Sequence, residues 1–165
     1  MIRLSAFSDE AGSSIKEQID AMKRNGISLT ELRSIDGKNV SSFTLEEAKE
    51  YQKIFEENGI SVWSIGSPLG KADIETDFTE YEKKVRHVCE LAKIFKTDKI
   101  RMFSFWHANE KEEKVYEYLR KMVAIGEEYG VYMCHENEKD IFGDIAERVL
   151  KIMQNVDGLK YIYDP

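Results

Sequence analysis

Cys134-His135-Glu136-Asn137-Glu138 closes one short apolar run, and Tyr163-Asp164-Pro165 closes the next. Each string sits where a β-strand hands over to a loop, and each sets a carboxylate there. Working outward, the same unit recurs. Apolar or β-branched runs occur near 2–7, 28–32, 60–66, 98–103, 131–135 and 159–163. Helical stripes lie between them: Ile15, Ile19 and Met22; Tyr81, Val85, Val88, Ala92 and Phe95; Val115, Leu119, Met122, Gly126 and Tyr129; Ile145, Val149 and Ile152. Spacings of three and four put each set on one helix face, which packs on a sheet.

The punctuation agrees with this division. Ser14-x-x-Glu17, Thr44-x-x-Glu47 and Asp77-x-x-Glu80 read as helix starts, where a side-chain oxygen accepts from the free N–H groups of the first turn. Gly26, Gly59, Gly130 and Gly158 read as helix stops. Asp144, directly before Ile145, reads as the cap of the last helix. Asn25-Gly26-Ile27-Ser28 returns as Asn58-Gly59-Ile60-Ser61, as expected of a repeated βα unit. No linker or low-complexity tract interrupts the series, so residues 1–165 are read as a single partial domain.

Repeated βα units imply a parallel sheet with helices outside it. An open doubly wound nucleotide-binding sheet should carry a glycine-rich phosphate loop after its first strand. The sequence there is Ala6-Phe7-Ser8-Asp9-Glu10-Ala11-Gly12, which lacks it. A (β/α)8 barrel instead calls for polar groups at the C-terminal ends of its strands. Ser8-Asp9-Glu10, Arg33, Gly66-Ser67, Trp106-His107, His135 to Glu138 and Asp164 supply them. The expected fold is α/β, a TIM barrel represented by its first six strands, since a full barrel takes roughly 250 residues.

Composition narrows the partners. With 42% apolar and 33% charged residues, the chain reads as globular, and no stretch approaches a membrane span. The start, Met1-Ile2-Arg3-Leu4-Ser5, has no basic-then-apolar leader, so a cytoplasmic location is expected. A net charge of -7 counts against a nucleic-acid partner. Cys89 and Cys134 have neither metal nor disulfide spacing and read as buried small hydrophobes.

Glu136 and Asp164, at successive strand ends, are the candidate ligands of a hard cation, which prefers oxygen donors. Pro165 is expected to keep Asp164 extended and end the strand. Glu138 shares the parity of Glu136 and reads as a substrate-binding group. Trp106 and His107 are candidates for one wall of a substrate pocket, and Ser67 for a further contact. Arg33 is a candidate for holding a substrate oxyanion. His135 points away from the cavity by strand alternation and reads as packed, as does His87 within its helix. Glu31 and Arg101, on the second and fourth strands, form a buried ion pair if both point inward.

As a set, His135-Glu136-Asn137-Glu138-Lys139, Phe142-Gly143-Asp144 and Tyr163-Asp164-Pro165 resemble the xylose isomerase-like TIM-barrel superfamily. That group holds the sugar phosphate isomerases and epimerases and is related to the endonuclease IV-like proteins. Glu31-Leu32-Arg33, Asp36-Gly37-Lys38-Asn39-Val40 and Arg101-Met102-Phe103-Ser104-Phe105 extend the resemblance over essentially the whole chain. It implies one divalent metal, Mn or Mg first and Zn or Co next, held by Glu136, Asp164 and a later His and Glu with no counterpart here. It also implies Glu136 as a catalytic residue and a small sugar-like substrate isomerised or epimerised through an ene-diolate. With half of that set, the 165-residue chain alone is expected to be inactive. A non-catalytic homologue that binds a ligand or partner is the alternative, and an endonuclease IV-like repair protein a lesser one. An uncovered sheet edge makes a homo-oligomer the expected state.

Overall fold

A computed structural model describes residues 3–164. Pro165, expected to stop the last strand, lies outside the described residues, as do Met1 and Ile2. The elements follow one another as β1 (Ser5–Ala6), α1 (Ile15–Arg24), β2 (Leu29–Leu32), β3 (Ser34–Ile35), β4 (Lys38–Asn39), α2 (Leu45–Glu57), β5 (Ser61–Gly66), α3 (Phe78–Ile94), β6 (Lys99–Met102), α4 (Glu112–Tyr129), β7 (Tyr132–Glu136), α5 (Ala146–Asn155) and β8 (Lys160–Ile162). Six strands form one sheet in the order β1-β2-β5-β6-β7-β8. Every neighbouring pair in it is parallel. This is a curled, incomplete (β/α) barrel, with sequential strands side by side and a helix in every crossover.

The helix starts follow the sequence in chemistry as well as place. Ser14 and Thr44 form reciprocal capping boxes with Glu17 and Glu47. Asp77 caps α3 through the Thr79 N–H, and Glu80 turns instead to Lys83. Asp144 departs from expectation: it sits in a 3₁₀ turn and pairs with Arg148, and α5 begins without a side-chain cap. Gly26, Gly59, Gly130 and Gly158 all take positive φ. Of the fourth stripe only Ile152 is buried, and Ile145 is exposed.

The β3–β4 hairpin is an element that the strand-and-helix periodicity does not announce. Ser34 pairs with Asn39 and Ile35 with Lys38 across Asp36-Gly37, both at positive φ. An Asp-Gly pair is the preferred chemistry for a tight two-residue turn with left-handed backbone at both positions.

Strand alternation sorts the side chains. Ile100, Met102 and Met133 face the helices and meet Val88, Leu91, Leu119 and Met122 in the core. Each such burial stabilises by about 1.5–3 kcal/mol. Lys99, Arg101, Tyr132 and Cys134 face the concave side, where they line a cavity of about 460 Å³ with Phe7, Glu31 and others. No helix among the described residues is long and apolar enough to cross a membrane.

Candidate functional site

Glu136 is the last residue of β7, and its neighbour across the sheet is β6, which carries Arg101. Arg101 Nη1 lies 3.0 Å from Glu136 Oε2, and Arg101 Nε lies 3.3 Å from Glu31 Oε1. One guanidinium therefore serves two carboxylates on β2 and β7. Glu31 reaches this point through a bulge. The β2–β5 register shifts between Thr30 and Glu31, so Glu31 pairs with Ser64. The Ser64 hydroxyl then donates to Glu31 Oε2 at 2.9 Å. A bulge re-aims a side chain in this way by a local break in the ladder.

The carboxyl of Glu136 is held above the usual range. Burial is the main cause; Arg101 opposes it, and the charges of Glu31, Asp164 and Glu138 reinforce it. Asp164 is fixed next to β7 by Asn137. The Asn137 amide donates to the Asp164 carbonyl at 2.8 Å and accepts the Asp164 N–H at 3.1 Å. Asn137 thus clamps the ends of β7 and β8 together. Its place in the string assigns Asn137 no role. Its signal was an amide, able to donate and accept at once, between two acidic positions.

Glu138 forms an ion pair with Lys71 at 2.7 Å, and the Lys71 ammonium lies 4.4 Å from the centre of the Phe103 ring. Nothing in the sequence pointed to Lys71, which the β5–α3 loop delivers from far along the chain. Arg33 is less available than expected. Its Nε lies 3.0 Å from Asp9 Oδ1, it also contacts Glu10, and it stacks 4.3 Å over Phe7. With two carboxylates already engaged, it is not a free cation awaiting an oxyanion.

Ser67 is fully buried, so the expected substrate contact gives way to a structural role. Its hydroxyl donates to the Arg101 carbonyl at 2.5 Å and accepts the Leu69 N–H, tying the end of β5 to β6. Trp106 and His107 lie in a rim of crossed loops and do not line the concave cavity. Trp106 bridges to Asp73 and to Ile141. The exposed His107 ring lies 2.7 Å from Asp73 Oδ2. Asp73 is held below its usual range, first by the Glu75 N–H and then by His107.

His135 turns to the helices, opposite Glu136 on the strand. Its ring is buried, and burial pushes its pKa down to about 4, so it is neutral near pH 7. His87 packs with Nε2 2.9 Å from the Phe43 carbonyl. Both cysteines are buried and unbridged.

The donor set fits a hard divalent cation in kind. Glu136 and Asp164 are oxygen donors at adjoining strand ends, near enough that the Asp164 charge helps raise the Glu136 pKa. Among the described residues no three or more His, Cys, Asp or Glu side chains gather into a metal cage. Two carboxylates completed by water and substrate oxygens are the usual protein share of a magnesium site.

No curated protein sequence matches the chain. Solved structures match it in fold. The probable 3-DHS dehydratase AsbF of Bacillus anthracis superposes with a TM-score of 0.78 at 20% identity, covering 99% of this chain and 63% of that one. A D-tagatose 3-epimerase-like protein gives 0.76 at 14% identity, covering 99% and 65%. A xylose isomerase-like TIM barrel protein of Mycobacterium smegmatis, in complex with magnesium, gives 0.70 at 11%, covering 99% and 63%. The chain thus spans under two thirds of the length of each. Residues 19–165 match the family described as xylose isomerase-like TIM barrel, and the chain belongs to that family.

Proposed function

We propose that this chain carries part of the active site of a metal-dependent isomerase or epimerase acting on a small sugar or sugar phosphate. The observation that carries this reading is the placement of Glu136 and Asp164 at the ends of the adjoining strands β7 and β8, which Asn137 clamps together. The epimerase-like and dehydratase neighbours, and the magnesium complex among them, support it.

Glu136 and Asp164 would hold a divalent cation, Mn or Mg, with Zn or Co as substitutes. When bound, that cation supplies Lewis-acid polarisation of a carbonyl and its neighbouring hydroxyl. Glu136 would take the proton from one face of the hydroxyl-bearing carbon next to that carbonyl, and the later Glu that the family resemblance implies would serve the opposite face. Arg101 holds the Glu136 carboxylate before the cation binds, and Lys71 holds Glu138.

Calorimetric titration with Mn²⁺ tests the reading. Glu136→Gln and Asp164→Asn should each weaken binding by about tenfold or more, the worth of one close charge. Binding that both variants leave unchanged refutes it. A binding-only role is the second reading, favoured by the absence of a three-donor cluster among the described residues. Deuterium uptake from heavy water into a ketose, which needs only the Glu136 face and no net turnover, separates the two: uptake supports the catalytic reading, and sugar binding without uptake supports the second. The repair-protein alternative requires DNA binding at low salt, against a net charge of -7.

A further inference from the structure

Arg101 is poorly satisfied for a buried guanidinium. Its Nε–H finds no hydrogen-bond acceptor, and Glu31 Oε1, 3.3 Å away, receives no hydrogen bond. The two atoms are close but not aligned. Ser64 holds Glu31 by its other oxygen, which leaves Oε1 free to receive a donor. The absence of a side chain at Gly66 leaves it room, since a Cβ there would stand 3.1 Å from Oε1. Phe7 and Phe103 lie with ring centres 5.5 and 5.2 Å from the guanidinium carbon, and neither ring offers a competing acceptor.

Among the described residues, Glu136 has Arg101 as its one ion-pair partner. The charges around the pair are also informative. Glu31, Glu136 and Asp164 set three negative charges against the single guanidinium. Two negative charges remain, which is the charge of one divalent cation.

We propose that Arg101 is a transferable counter-ion: it balances Glu136, and moves fully onto Glu31 when a divalent cation takes that carboxylate. This rests on the reading of Glu136 as a cation ligand. The shift aligns the Nε–H with Glu31 Oε1 and joins two atoms that now lack hydrogen-bond partners. Loading the cation then frees no buried charge, which would otherwise be costly. Arg101 is a positioning residue here, acting through Glu136.

Arginine-selective ¹⁵N labelling of the full chain, titrated with Mg²⁺, reads the transfer directly. The Arg101 Nε–H signal is assigned by its loss in Arg101→Lys, or by its shift in Glu31→Gln if the first variant does not fold. Mg²⁺ should slow solvent exchange of this proton by about tenfold, as for a new charge-assisted hydrogen bond. In Glu31→Gln that slowing should disappear and Mg²⁺ should bind several-fold more weakly, with Arg101 left on Glu136. Binding of Mg²⁺ to the unaltered chain with no change at the Nε–H overturns the transfer alone. No Mg²⁺ binding to the unaltered chain overturns both the transfer and the cation site.

Discussion

Ser104 Oγ lies 2.9 Å from His135 Nε2, on the side of β7 opposite Glu136. The same hydroxyl accepts the Gly143 N–H at 2.7 Å. One buried hydroxyl thus joins the fifth strand of the sheet to the loop that follows it, behind the candidate ligand. Ser104→Ala leaves an imidazole nitrogen and a backbone N–H without partners. It should destabilise the fold by about 2–3 kcal/mol in urea denaturation. A loss under about 0.5 kcal/mol would show that water or a shifted loop replaces the bond.

His135 also sets a pH dependence. Its folded pKa of about 4 lies below the usual 6.5, so the unfolded chain takes up a proton more readily. The neutral ring therefore contributes stability that is complete above pH 6.5 and lost as pH falls toward 4. The loss amounts to about 3 kcal/mol over that window. His135→Gln keeps a polar group near Ser104 without titrating. The difference in unfolding free energy between the two proteins should follow this curve, and a flat difference from pH 7 to pH 4 contradicts the burial argument.

Arg101→Met removes the shared counter-ion and leaves Glu31 and Glu136 buried without it. Both carboxylates have side chains only 15% and 11% exposed. The expected cost is about 3–5 kcal/mol, and Arg101→Met with Glu31→Gln should recover part of it. A cost under about 1 kcal/mol is incompatible with the inward placement of this pair.

Two glycines share a backbone conformation and differ in surroundings. Gly37 and Gly70 take φ of +76° and +84°. A Cβ at Gly37 meets open space, whereas one at Gly70 stands 2.0 Å from the Phe103 carbonyl oxygen. Gly37→Ala should cost about 1 kcal/mol from the left-handed backbone alone. Gly70→Ala must also separate the β5–α3 loop from the chain after β6, and should cost at least about 3 kcal/mol. Equal melting-temperature losses for the two would contradict this packing.

Strands β1 and β8 are the two edges of the sheet. Leu4 and Tyr163, beside those edges, are 70% and 83% exposed. A polypeptide of residues 1–165 taken by itself is expected to self-associate at micromolar concentration, since unpaired edges recruit strands. Light scattering checks this, and a monodisperse monomer counts against it.

Much of this protein was legible without its fold. The alternation of β-branched runs with stripes at three and four residues located all six parallel strands, because burial of one face imposes its period on the sequence. Capping at Ser14 and Thr44 was readable because those bonds close within four residues. Strand parity likewise gave the opposed directions of Glu136 and His135.

The partners of those side chains were a different matter. That Ser67 is spent on the Arg101 carbonyl, Arg33 on Asp9 and Glu10, and Glu138 on Lys71 depends on loops from distant parts of the chain meeting. No local spacing encodes such meetings. The sequence by itself determined the repeating unit and which residues stand at strand ends, since both follow from local periodicity. Only the tertiary structure decided which of them remain free to act, because a charge or hydroxyl is available only after its nearest neighbours in space have taken their share.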